Sequence, residues 1–396
     1  MTEAKSKEVE SGSLPPLPFC QADITDAEIN EVVDTLRSGW LTTGPKTRLF
    51  EERFRDYVGA KHAVAVSSCT AGLHLSLMAA GIGEGDEVIT TPLTFCATVN
   101  VILHQRAKPV LADICLDDYN IDPDEVERKI TPKTKAIIAV HYAGQPCKMD
   151  ALFDIAKRHK LLLFEDAAHA VGAYYKGKGV GSMGDATSFS FYVIKNLTTG
   201  EGGMVSTNNP ELEEKIRLLR LHGMSADAWK RYDAKGSWYY EVVAAGFNYK
   251  MTDVQAAMGL HQLERLDSFI RRRAQIAAEY ERRLSALPEL VLPKTREDVT
   301  HAWHLYPIWI QPQSAIGRDQ FIEEMKARKI GTSVHFIPIH YHPFYQQTLG
   351  CKQGDFPNTD RLYAGLLSLP LFPRMTDGDV SRVCDAVEEI IVSNRR

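Results

Sequence analysis

MDALFDIAKRHKLLLFEDAA, residues 149–168, holds two periods in one short stretch. Over 149–160 the apolar residues Met149, Leu152, Phe153 and Ile155 recur at helical spacing, and Lys157, Arg158 and His159 follow near the end, as in an amphipathic helix. Residues 161–168 then run apolar without alternation. A strand wetted on one face alternates, whereas a strand covered on both faces does not. The pair predicts a helix feeding a buried strand of a parallel sheet, with Asp166 at the C-terminal end of that strand.

The same rhythm extends outward. HAVAVSS (62–68), EVITTP (87–92), KPVLADI (108–114), KAIIAVHYAG (135–144), ATSFSFYV (186–193) and GGMVST (202–207) read as strands. TAGLHLSLMAAG (70–81), TFCATVNVILHQ (94–105) and the residues near 122–130 read as helices. This is an α/β fold with a mostly parallel central sheet and helices on both faces. Such sheets bind ligands at the C-terminal ends of their strands. Beyond residue 208 come two long helical stretches, PELEEKIRLLRLHG and the run from Thr252 to Leu287. Strand-like HAWHLYPIWI and GTSVHFI then mix with helical RDQFIEEMKARK and DGDVSRVCDAVEEIIV. The expected organisation is a disordered tail (1–14), a large domain (15–255), then a long linking helix with a smaller C-terminal α/β domain (256–396).

Composition excludes several classes. A net charge of −5 with no long basic run points away from nucleic acid and anionic membranes. No apolar run reaches membrane-spanning length, and MTEAKSKEVESGSLPPLP is too polar for a signal peptide. The seven cysteines form no CxxC pair, which argues against a disulfide framework and against a metal site, and fits the cytoplasm.

Four features fall at predicted strand ends. In SSCTAGLHL (67–75), small residues open a helix whose free N–H groups, with the hydroxyls of Ser68 and Thr70, suit a phosphate; plain capping is the commoner explanation of such a turn. In FEDAAHA (164–170), Asp166 is a carboxylate needing a cation or donor, such as a protonated ring nitrogen, or else an N-cap. In SFSFYVIKNLTTGEGG (188–203), Lys195 follows an apolar strand and precedes a glycine-rich bend. Burial there lowers a lysine pKa and frees the amine for attack on a carbonyl. Gly200, Gly202 and Gly203 are expected to let a ligand approach closely. In GFNYKMTD (246–253), Thr252 or Asp253 is a helix cap. A lysine, an acid and a phosphate cradle are what pyridoxal phosphate requires.

With these residues in hand, the chain resembles the DegT/DnrJ/EryC1/StrS sugar aminotransferases, from about residue 15 onward. SGWLTTGP (38–45), TFCATVN (94–100), EDAAHAVG (165–172), SFSFYVIKNLTTGEGG, GFNYKMTD and SVHFIPIH (333–340) carry the likeness. The resemblance implies a fold-type-I transferase dependent on pyridoxal 5'-phosphate. It implies that Lys195 carries the cofactor and shuttles protons, that Asp166 pairs with the ring nitrogen, and that His169 meets the ring's 3-oxygen. Phe95 would stack on the ring; Thr70 and Ala71 would hold the phosphate through N–H groups, and Ser190 through its hydroxyl. Asn248 would reach the phosphate of a neighbouring subunit in a homodimer with shared sites. Trp40, Thr42, Thr43, Lys250, His335 and His340 would line a nucleotide-sugar pocket. Cys69 stands where the family usually has Gly or Ala, and Gly72 where Ala is common; an exposed Cys69 would be sensitive to oxidation.

SGWLTTGP and KNLTTGEGG resemble the branch that aminates C4 of nucleotide-linked 4-keto sugars. EDAAHAVGAYYKGK, HAWHL and SLPLFPRMT resemble the UDP-4-amino-4-deoxy-L-arabinose branch that serves lipid A. Glutamate is the expected amino donor, although no arginine stands out for its carboxylate. The alternatives are a 3-ketosugar or other cyclic-ketone aminotransferase, and a non-catalytic pyridoxal-phosphate-binding regulator.

Overall fold

The computed structural model describes residues 15–224 and 239–395, so the tail expected over 1–14 lies outside the described residues. Two helices the sequence reading did not anticipate come first, α1 (Asp26–Ser38) and α2 (Pro45–Val58). The alternating part follows: β1 (His62–Val66), α3 (Cys69–Ala79), β2 (Glu87–Thr90), α4 (Cys96–His104), β3 (Lys108–Leu111), α5 (Pro123–Lys129), β4 (Thr134–Val140), α6 (Met149–His159) and β5 (Leu162–Asp166). A small ribbon, β6 (Tyr174–Tyr175) and β7 (Lys178–Gly179), precedes β8 (Ala186–Ser190), β9 (Gly203–Thr207) and α7 (Pro210–Leu219).

Seven strands form one sheet in the order β1-β9-β8-β5-β4-β2-β3. The pairs β2–β3, β2–β4, β4–β5 and β5–β8 are parallel, and β9 runs antiparallel to both β8 and β1. Both faces are covered, which is why the strands lack alternation. Along β4, Ala136 and Ile138 enter one apolar core with α3 and α7, while Ile137 and Ala139 enter another with Met149, Leu152 and Ile155 of α6. A third core sets Phe50 and Phe54 of α2 against Phe189 and Phe191, with Phe54–Phe189 centroids 5.0 Å apart in an edge arrangement.

The helix α8 (Asp253–Leu284) spans 32 residues and starts from a capping box, in which Thr252 Oγ1 accepts from Gln255 N and Thr252 N donates to Gln255 Oε1. The three-stranded sheet β10 (Leu290–Val291), β12 (Tyr306–Ile310) and β13 (Leu366–Leu369) follows, while β11 (Val299–Thr300) joins the β6–β7 ribbon. The helices α9 (Arg318–Ala327), α10 (Pro343–Leu349), α11 (Pro357–Tyr363) and α12 (Asp377–Ser393) complete the order. The core of this part gathers the C-terminal half of α8, β12, β13 and α12. Leu17 belongs to it as well: its N–H donates to Lys329 O, and its carbonyl accepts from Gly331 N.

Most expected strands end a few residues early, KPVLADI at Leu111 and KAIIAVHYAG at Val140, and three depart for visible reasons. HAWHLYPIWI pairs only over Tyr306–Ile310, because Trp303 takes a positive φ of 47°. GTSVHFI is no strand; a single bridge, Ser333 to Ser368, is all it forms. ATSFSFYV stops at Ser190, since Tyr192 and Val193 turn out to the surface.

Candidate active site

Because β8 stops at Ser190, Lys195 sits not on a strand end but in the turn beyond it, its N–H donating to Tyr192 O. The turn closes back on the sheet through Phe191 N to Gly202 O and Thr199 N to Phe191 O, each 2.9 Å. Lys195 is half-buried, and burial lowers its pKa from 10.5 to about 8 although the Asp166 carboxylate nearby pulls it up. Asp166 ends β5 beside Ser188 of β8. Its Oδ2 accepts from Thr98 Oγ1 at 2.7 Å, and its Oδ1 accepts from Ala168 N at 3.1 Å and faces Cys69 Sγ at 3.7 Å.

His169 is buried, and its Nδ1 has no partner among the described residues. Desolvation holds its pKa well below the usual histidine value, so the ring is neutral. It lies 4.4 Å from the His304 ring and 5.7 Å from Phe336, which in turn approaches Phe95 at 5.8 Å. Phe95 is 58% exposed at the N-cap of α4, an uncommon place to leave an aromatic face bare unless something flat covers it.

The start of α3 is capped from within. Ser68 Oγ accepts from Ala71 N at 3.1 Å, and Ser68 O from Gly72 N. The Ala71 N–H is therefore already committed, whereas no bond is made by Thr70 N–H among the described residues. Ser190 Oγ lies at the same sheet edge and takes only a long 3.4 Å bond from Tyr192 N. Gly203 serves a different purpose from the one expected. A Cβ there would lie 2.5 Å from Ser68 C and 2.7 Å from Cys69 N, so the close approach is by the first turn of α3 and not by a ligand. Gly72 is likewise filled in: a Cβ would meet Val205 Cγ2 at 2.8 Å and Ser188 Oγ at 3.0 Å. Cys69 is buried and its thiol pKa is raised well above 9.0 by burial and then by Asp166, so the condition for oxidation sensitivity is not met.

Around this centre, Trp40 and Thr42 are exposed on the loop between α1 and α2, with Trp40 Nε1 donating to Thr43 O. Thr43 Oγ1 donates to Met251 O. Asp253 does not cap its own helix. Its buried carboxylate accepts from Gly44 N, Lys46 N, Thr47 N and Thr47 Oγ1, capping α2 instead and tying that loop to the start of α8. Lys250 Nζ donates to Asn248 Oδ1 at 2.8 Å, and Asn248 is exposed. His335 is buried with Nδ1 against Ser368 Oγ, stacks on Phe19, and has its pKa lowered to about 4 by burial and then Lys195. His340 is drawn elsewhere: it is fully buried, its Nε2 paired with Asp360 and its ring against Phe356.

Thr98, Asn196, His304 and Phe336 were missed by the sequence reading as site residues. Asn196 Nδ2 donates to Ala302 O at 2.7 Å, so its Oδ1 must accept from His304 Nδ1 at 3.2 Å. His304 Nε2 is then a bare acceptor, buried beside His169 and without a partner among the described residues. The only hint in sequence was that Thr94 and Thr98 stand one helical turn apart in TFCATVN.

Orphaned buried nitrogens, a lysine of lowered pKa, a carboxylate at the sheet edge and an uncovered aromatic ring fit pyridoxal phosphate. Fold and site together define a fold-type-I, pyridoxal-phosphate-dependent aminotransferase. The sequence profile of the DegT/DnrJ/EryC1/StrS aminotransferase family matches residues 22–388, and the chain belongs to that family. It is 56% identical over 383 residues to MJ1066 of Methanocaldococcus jannaschii, covering 96% of this chain and 98% of that one. It is 53% identical over 377 residues to the spore coat polysaccharide biosynthesis protein SpsC of Bacillus subtilis, covering 95% and 97%. Among solved structures, the pyridoxal-phosphate form of Spr1654 from Streptococcus pneumoniae superposes with a TM-score of 0.90 at 34% identity, covering 96% of this chain and 100% of that one. Among the described residues, no helix is long and apolar enough to cross a membrane.

Proposed function

We propose that this enzyme moves the amino group of glutamate to C4 of a nucleotide-linked 4-keto sugar, a UDP-linked pentose or hexose, in two half-reactions at one site. The observation that carries the reading is the Lys195 amine, half-buried, with a pKa near neutrality and at the sheet edge beside Asp166. When bound, pyridoxal phosphate supplies an electrophilic aldehyde and a ring that accepts electrons. Lys195 Nζ would hold the aldehyde at rest. When free, the same amine would take the proton from the donor's Cα and pass it to the bound cofactor, and in the second half-reaction it would carry a proton from the cofactor to C4 of the sugar. With a pKa of about 8, about a tenth of such amines are unprotonated at neutral pH, against far fewer for a solvated lysine. Asp166 would accept the hydrogen bond of the ring nitrogen. Neutral His169 would serve the ring's 3-oxygen, and Phe95 would cover a ring face. Thr70 N–H and Ser190 Oγ would hold the phosphate; Ala71 N–H would join them only by leaving Ser68.

A second copy of the chain contributes Asn248 to the phosphate, making a homodimer with shared sites. Exposed Val242 and Val243, just ahead of exposed Asn248, support this, as apolar surface that a second copy would cover. Trp40, Thr42, Thr43 and Lys250 would form the sugar-nucleotide side, and His335, near Lys195, would join them. His340, held by Asp360, acts from inside the fold if it acts at all. The likeness to SpsC, a spore coat polysaccharide biosynthesis protein, supports a product for polysaccharide over one for lipid A. The reaction is placed in the cytoplasm on the cysteine usage alone.

The test is a single turnover. Enzyme preloaded with the amino group of glutamate is mixed with a panel of 4-keto and 3-keto sugar nucleotides, and the amine position in the product is read by NMR. Consumption of a 3-keto sugar alone would overturn the C4 assignment. Failure to take nitrogen from glutamate would overturn glutamate as the donor.

A further inference from the structure

Asp166 is held by more than the strand that carries it. Thr98 Oγ1 lies 2.7 Å from Asp166 Oδ2, and Thr94 Oγ1 lies 2.8 Å from Thr98 Oγ1. All three side chains are buried, so no solvent competes for these bonds. An ionised carboxylate only accepts, and a threonine hydroxyl has one proton. Thr98 therefore donates to Asp166, and Thr94 must donate to Thr98. The direction of the whole chain is set: Thr94 to Thr98 to Asp166. The opposite carboxylate oxygen is fixed separately by Ala168 N at 3.1 Å.

We infer that Thr98, oriented by Thr94, is a positioning residue that fixes the rotation of the Asp166 carboxylate for the ring nitrogen of the cofactor. The inference rests on the reading that Asp166 pairs with that nitrogen. The location supports it. Thr98 stands in the first turn of α4, three residues after Phe95, so one short helix presents both the ring-facing aromatic and the hydroxyl behind the acid. Without Thr98, Oδ2 loses its one side-chain donor among the described residues, and only the contacts at Oδ1 oppose turning about a terminal torsion that is intrinsically broad. The hydrogen bond has an ionised acceptor and lies between buried side chains, which puts it among the stronger ones.

The experiment titrates apoprotein with pyridoxal phosphate. It also follows protonation of the ring nitrogen in isotope-labelled cofactor by NMR against pH. Thr98→Val, which is nearly isosteric, is expected to weaken cofactor binding about tenfold or more. Its bound ring nitrogen should lose its proton at lower pH than in wild type. Thr98→Ser, which keeps the hydroxyl, should restore both. A purely structural role would lower the melting temperature and leave the nitrogen titration where it was, and that result overturns the inference. Should Thr98→Val not fold, Thr94→Val carries the same test: it should weaken binding about threefold with the same direction of titration, and wild-type values overturn the inference. Asp166→Asn separates the two layers. If it binds and titrates like wild type, the role of Asp166 falls; if it is impaired while Thr98→Val is normal, only the role of Thr98 falls.

Discussion

Replacing Lys195 by methionine removes a charge that the fold holds at a cost. Burial lowers the Lys195 pKa from 10.5 to about 8. The interval of about 2.5, at 1.36 kcal/mol per pH unit, corresponds to about 3.4 kcal/mol. The sign follows from proton binding. Between pH 8 and 10.5 the unfolded chain still holds the proton that the native one has lost, so stability rises with pH through that window. Below pH 8 both states are protonated, and the whole cost is present. Methionine is similar in length and uncharged, so it escapes the cost. Cofactor-free Lys195→Met is therefore expected to exceed cofactor-free wild type by up to about 3 kcal/mol near neutral pH, with the gap closing toward pH 10.5. Urea unfolding of both proteins at several pH values measures it, provided the slopes agree. Equal stabilities near neutrality, or a gap indifferent to pH, would refute the argument. The same variant should form no lysine-linked cofactor and should not turn over.

Asp253→Ala leaves the N–H groups of Gly44, Lys46 and Thr47 unpaired and should cost about 2–4 kcal/mol in denaturant unfolding. The loop bearing Trp40 and Thr42 should loosen with it, so KM for the sugar nucleotide should rise more than kcat falls. Gly203→Ala sets a methyl against the backbone of Ser68 and Cys69, which cannot rotate away, so about 3 kcal/mol or more of stability and much of the cofactor affinity should go. Unchanged pyridoxal-phosphate binding by that variant would contradict the tight packing of α3 on β9. Cys69 should resist alkylation in the native protein and react only on unfolding, as peptide mapping after timed iodoacetamide would show.

Most of the sheet could be read from the chain because its strands are buried on both faces and say so in continuous apolar runs. LLLFEDAA and HAVAVSS became strands within a residue or two of where they were expected. α1 went unread although its signal was present: Thr25 and Glu28 form a local box at its start, with Thr25 N donating to Glu28 Oε2 at 2.9 Å. The Lys195 turn was misjudged because FYV continues an apolar strand pattern past the point where its side chains reach solvent. Asp166, Lys195, His169 and Phe95 were named from the chain and do lie in one neighbourhood, linked by Cys69, His304 and Phe336. Of the linking residues Cys69 was singled out in the chain as well, whereas His304 and Phe336 were not. His304 is 135 positions from His169 in number, and only the folded chain lays one ring on the other. Asp253 shows the converse: its position suggested a local cap, and a helix distant in sequence claimed it.

The seating of Leu17 between Lys329 and Gly331 sets an order of events during synthesis. Residues 15–20 are made early, yet two of the partners that hold them come from far along the chain: Arg382 reaches back to the carbonyl of Pro15, and Phe19 stacks on His335, while Cys20 donates to Ile194 O beside Lys195. The central sheet has every strand it needs once Thr207 has emerged, but the core beneath α2 still lacks Leu260, Leu263 and Leu266 of α8. More than a hundred further residues must follow before Leu17 meets Lys329 and Gly331.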